Sequence, residues 1–109
     1  MASGRVTANT TAQTITTAPK IKKGVVTFIQ IENRHTAAVQ VTLQDVYSVI
    51  TPAGVTTRTV TKKTFVPVAA GDSLTIEFAN PEIEFIGALQ AVADTTTANC
   101  EITVGWRWE

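Results

Sequence analysis

From Cys100 onward the chain alternates without a break. Cys100, Ile102, Val104, Trp106 and Trp108 fall on one face, and Glu101, Thr103, Gly105, Arg107 and Glu109 on the other. A period of two sends successive side chains to opposite sides of a pleated strand, whereas a helix needs apolar residues three and four apart. A strand with one apolar face must bury that face against another layer, so this segment commits the chain to a sheet that packs on something.

Composition agrees with that reading. Of 109 residues, 20 are Thr, 13 Val and 9 Ile, against three Leu and one Met. β-branched side chains lose rotamer freedom in a helix and suit the surface of a sheet. Other stretches read as strands for local reasons. Val25 to Glu32 starts apolar on both faces, with Val25, Ile29 and Ile31 on one side and Val26 and Phe28 on the other. Ala38 to Ile50 alternates through Val39, Val41 and Leu43, then changes phase after Asp45, which predicts a bulge or a crossing between sheets. Thr51-Pro52-Ala53-Gly54 is a turn, and the Thr-rich, basic stretch Val55 to Phe65 reads as an edge strand whose Lys62 and Lys63 discourage stray pairing. Ser73 to Phe78 alternates with Leu74, Ile76 and Phe78 inward. Ile83 to Ala93 fits a helical stripe or a strand kinked at Gly87, and a strand over about Ile86 to Val92 is the better fit beside the last one. Turns every eight to twelve residues predict an all-β domain: a single antiparallel sandwich or small barrel of six to eight strands, occupying residues 20–109. Residues 1–19 are polar and Thr-rich, and read as an extended N-terminal arm that adds little to the core.

Few residues have the makings of chemistry. No apolar run reaches the length of a membrane span, and the start MASGRVTANTTAQ contains no apolar stretch that would serve as the core of an export signal. One Cys and one His, far apart, make neither a disulfide framework nor a zinc site. His35 reads as a solvated turn residue, and Cys100 as a small buried hydrophobe. Glu82 and Glu84 share a face if extended, which is the spacing of a carboxylate pair but also of an ordinary solvated edge. Asn9-Thr10-Thr11 matches a glycosylation sequon in a stretch so rich in Thr that chance accounts for it. With nine basic and nine acidic side chains the net charge is zero, and a nucleic-acid partner is not expected. The expected catalytic, metal and cofactor sets are therefore empty.

What remains points to adhesion. Trp106, Arg107 and Trp108 crowd the C-terminus; Trp106 can close a core, but Trp108 sits one residue from the end and reads as an interface anchor. Charge is unevenly spread: residues 1–24 hold Arg5, Lys20, Lys22 and Lys23 and no acid, while residues 72–109 hold seven acids and only Arg107. The two ends attract each other within one chain, between subunits, or toward an acidic partner. The candidate interface is Arg5, Val6, Ile15, Lys20, Lys22, Lys23, Trp106, Arg107 and Trp108.

A Thr/Val-rich β domain with a basic arm, a Trp-rich last strand and no catalytic constellation resembles the small decoration or cement proteins that bind the outside of bacteriophage capsids. The resemblance implies a virion-surface structural protein, a trimer or other homo-oligomer, seated where capsid subunits meet. Its arm, around Val6 to Ile15, would add strand-like hydrogen bonds to a neighbour's sheet edge. The rival expectation is a carbohydrate-binding module stacking sugars on Trp108, with Tyr47 and Trp106.

Overall fold

A chain that alternates this strongly must pair its strands and then cover the apolar face they share. The computed structural model, which describes residues 2–109, does both with two antiparallel sheets packed as a sandwich. The strands are β1 (Ala2–Ala8), β2 (Gln13–Thr17), β3 (Gly24–Asn33), β4 (Val41–Thr51), β5 (Gly54–Thr64), β6 (Ser73–Glu77), β7 (Glu84–Phe85), β8 (Ala88–Ala93) and β9 (Thr97–Trp108). One sheet runs β1-β9-β3-β6, with the short β7 also on β3; the other runs β2-β8-β4-β5. The core between them contains Ile29, Ile31, Leu43, Phe85, Leu89, Ile102 and Val104, each almost wholly buried.

The last strand behaves as its alternation requires. β9 lies between β1 and β3 and turns Cys100, Ile102, Val104 and Trp106 into the core. β3 departs from simple alternation. Thr27 is an extra residue between Val26, opposite Trp106, and Phe28, opposite Gly105. That bulge brings Val26 into the core with Ile29 and Ile31, while Val25 sits across from Arg107 and Glu84.

β4 keeps one phase where the sequence suggests a change. Val41, Leu43 and Asp45 are all buried on the same side, and Asp45 is the polar member of that row. Its carboxylate accepts the backbone N–H groups of Ile86 (2.9 Å) and Gly87 (3.0 Å), so an inward acid is paired rather than turned out. The same contact decides the ambiguous stretch 83–93. The chain bends at Ile86-Gly87, between β7 and β8, and the bend needs a glycine, because a side chain at Gly87 would collide with the Val46 carbonyl and Tyr47. The bulge between β4 and β5 falls on the β5 side, at Lys62, between the Leu43–Lys63 and Gln44–Thr61 pairs.

Within residues 1–19, set apart by composition as an arm, Ala2–Ala8 and Gln13–Thr17 are strands, and both pair within their own chain. β1 pairs with β9 from Ala2 opposite Trp106 to Ala8 opposite Thr97, and β2 pairs with β8. The physical reason is a sparse but well-phased apolar set: Val6 and Ile15 pack on the core and Ala8 is buried within it. β1 and β2 also pack on each other and close one flank of the sandwich. The nine strands exceed the expected six to eight through these two and the two-residue β7.

Candidate interaction surface

β4 outruns the sheet it belongs to. It pairs with β8 only from Val41 to Val46, but with β5 as far as Thr51. Beyond Val46 the two strands form a ribbon with no third strand beside it among the described residues. A Pro52-Ala53 turn closes the ribbon; Gly54 follows at φ 121°, and Thr51 Oγ1 donates to the Gly54 carbonyl at 2.9 Å. Along the whole of β5 only Val60 is half-buried and every other residue is exposed, on both faces. Near the tip Ile50 and Val55 face each other across the ribbon, 90% and 73% exposed.

A second apolar projection sits at the same end of the sandwich. After β2, Ala18 N–H donates to the Gly87 carbonyl at 2.9 Å, and Lys23 and Glu109 exchange backbone hydrogen bonds (3.3 and 2.8 Å). Between these anchors Pro19 to Lys22 turns outward, with Lys22 N–H on the Pro19 carbonyl at 3.2 Å. Ile21 stands at the crest, fully exposed and at φ 62°. A β-branched residue in the left-handed region is strained, and such strain gathers where a segment is held for a purpose. Ile21, Ile86 and Ala18 line one shallow cleft with Lys20, Lys22 and Glu109. Of the five large hydrophobic residues exposed among the described residues, only Val66 lies away from this end.

The residues expected at the interface separate into two groups. Arg5 is spent in cis: its guanidinium meets Glu101 at 3.0 Å and Thr103 Oγ1 at 3.1 Å. Lys23 lies 3.3 Å from Glu84 and 4.0 Å from Glu109, and Arg107 lies 3.0 Å from Glu109. Arg5 and Lys23, two of the four bases at the start of the chain, thus meet its acidic end within one molecule. Val6 and Ile15 are half-buried on the core. Trp106 is 7% exposed, with its indole N–H unpaired among the described residues, and Trp108 is half-buried, its ring 5.8 Å from Phe85 and 6.1 Å from Trp106. Of the nine residues expected at the interface, Lys20 and Lys22 are the two charged ones that are exposed with no ion pair among the described residues, and they flank Ile21.

Sequence reasoning missed Ile21, Ile50, Val55 and Ile86. The signal for the ribbon was present, because Ile50 and Val55 bracket a tight turn in a Thr-rich stretch. Exposure there depends on β8 starting at Ala88, which a tertiary contact with Asp45 decides.

The acidic, histidine and cysteine side chains lie scattered among the described residues. They contain no cluster of three or more His, Cys, Asp or Glu able to hold a metal. Glu82 and Glu84 are drawn to different cations, Lys63 at 3.7 Å and Lys23 at 3.3 Å. His35 Nδ1 lies 3.4 Å from Thr97 Oγ1 in the turn after β3. Cys100 is buried, and burial above all, with Asp94 and Glu101 adding to it, raises its pKa above the ordinary thiol value. Among the described residues no helix is long and apolar enough to cross a membrane. Comparison with protein-family models, curated proteins and solved structures finds no match for the chain.

Proposed function

We propose that the chain is a non-enzymatic structural protein that works by seating on another protein surface, and that the surface is the outside of a bacteriophage capsid, where it acts as a decoration or cement protein. The observation that supports this reading is the end of the sandwich just described. Four large hydrophobic side chains stand exposed there: Ile50 and Val55 on the ribbon that outruns its sheet, Ile21 on a strained loop edged with lysines, and Ile86 at the bend between β7 and β8. Water-exposed apolar groups gathered at one end of a small domain fit a contact surface better than a solvated tip. The adhesive contact is then the ribbon and the 18–23 loop, while the N-terminal segment builds the domain that presents them. Each contact is small, and repetition over symmetric capsid sites supplies avidity.

The carbohydrate reading draws less support. Trp106 is buried, and the half-buried Trp108 packs against Trp106 and Phe85, whereas a sugar platform presents its aromatic faces to solvent.

Fractionation tests the proposal. Virus particles purified by density gradient from the source culture are probed with an antibody raised against the recombinant chain. The chain is expected to co-migrate with intact capsids and to yield to protease applied from outside. A chain found only at the top of the gradient, or one retarded by polysaccharide in a native gel, overturns it.

A further inference from the structure

β1 and β2 close one flank of the sandwich by packing on each other. The opposite flank carries the outermost strands of the two sheets, β5 and β6, and is built differently. One ion pair, Lys63 to Glu82 at 3.7 Å, bridges the sheets there. The inward side of β5 is left open: Val60, which faces Asp45, is only half-buried, and Arg58, which faces Tyr47, is exposed. On β6 the inward Leu74 and Ile76 are likewise half-buried.

The two edges also differ in charge. β5 carries Arg58, Lys62 and Lys63 and no acid, whereas residues 72–85 along the other edge carry Asp72, Glu77, Glu82 and Glu84 and no base. Arg58, Lys62 and Glu77 make no ion pair among the described residues. A bulge and two lysines guard β5 only at its Lys62-Lys63 end, and from Gly54 to Thr61 the edge is plain strand with one arginine.

Resting on the reading of the chain as an assembly protein, we propose that this flank binds a second copy of the same chain, β5 of each pairing with β6 of the other. The geometry favours a two-fold. Rotation about an axis parallel to the strands leaves strand direction unchanged and exchanges the two sheets, so that β5 meets the partner's β6. These strands run in opposite senses, because β5 leaves the ribbon tip and β6 runs back toward that end, so the pairing is antiparallel. Inward faces remain inward, and Val60 comes beside the partner's Leu74 and Ile76. The basic edge meets the acidic edge twice, once on each side of the axis. A two-fold pair, rather than the trimer implied by the capsid resemblance, follows from both edges lying on one flank.

The experiment is sedimentation velocity of the full chain and of two charge-reversed variants, Arg58→Glu/Lys62→Glu and Glu77→Lys. All the changed residues are exposed, and circular dichroism reports whether the variants fold. Wild type is expected as a concentration-dependent dimer, each variant alone as a monomer, and the equimolar mixture as a dimer again, since opposite edges then meet at both junctions. A wild type that stays monomeric at every concentration overturns the pairing, as do variants that dimerise like wild type or a mixture that stays monomeric. A monomeric wild type that still co-migrates with capsids removes the pairing and leaves the assembly reading standing. A charge-dependent dimer absent from particles does the reverse.

Discussion

Asp45 accepts the backbone N–H of Gly87 at 3.0 Å and that of Ile86 at 2.9 Å, and this places a buried carboxylate at the corner where β7 gives way to β8. The contact ties the middle of β4 to the start of β8 and so sets where the ribbon leaves the sandwich. Asp45→Ala leaves two donors unanswered in a buried site and is expected to cost about 2–4 kcal/mol. Asp45→Asn, which keeps one acceptor oxygen, should cost less. Urea unfolding measures both, and an Ala variant as stable as wild type would show that the corner holds without its carboxylate.

The strain at Ile21 is separable from the fold. Its side chain is fully exposed and its φ of 62° suits glycine. Ile21→Gly is expected to stabilise the domain by about 0.5–1 kcal/mol, because relief of the left-handed penalty outweighs the added freedom of the unfolded chain. The same change should weaken capsid binding, since it removes an exposed apolar contact. Denaturation midpoint and particle co-sedimentation should therefore move in opposite directions. A variant that gains neither stability nor loses binding contradicts the role given to this loop.

Deletion of residues 2–17 is expected to abolish cooperative folding. It strips one edge strand from each sheet and uncovers the core at Ala8, Val6 and Ile15. A detached arm would permit the opposite outcome, a truncated domain with unchanged near-ultraviolet circular dichroism and a sharp thermal transition. That result would separate the segment from the domain.

Cys100 offers a test by pH. Its thiol is buried and its pKa lies above the usual value, so the native state holds the proton more tightly than the unfolded chain. The contribution to stability is whole below the ordinary thiol pKa and is lost as pH rises from there through the native value. A Cys100→Ala variant should show a smaller fall in stability across that alkaline window than wild type. Alkylation of the native protein should be slow and should become fast on unfolding; rapid labelling of the native protein would refute the burial.

The all-β class and most strands were legible because alternation is local. β9, β6 and the first part of β4 need only their own residues to declare which face is inward. Three features depend on distant partners and were not legible. The bulge at Thr27 puts Val26 on the side of Ile29 and Ile31 through the register with β9, while Val25 is buried across from Arg107 and Glu84. Asp45 looks like a break in phase until the two N–H groups it accepts are in place. Residues 2–17 lack the density of apolar groups that marks a strand, and their pairing rests on edges offered by β9 and β8. The site followed the same rule: the residues chosen for charge and aromaticity, Arg5, Lys23, Trp106, Arg107 and Trp108, found partners within the chain, while the exposed apolar set depends on where one sheet stops.

Amide hydrogen exchange of the chain, free and bound to purified capsids, tests most directly whether that end is the adhesive surface. Protection on binding is expected at residues 18–23 and 47–56, with β1 and β2 unchanged because they are already paired in the free protein. Protection confined to residues 2–17, with the ribbon and the 18–23 loop exchanging as they do in free solution, would contradict the account.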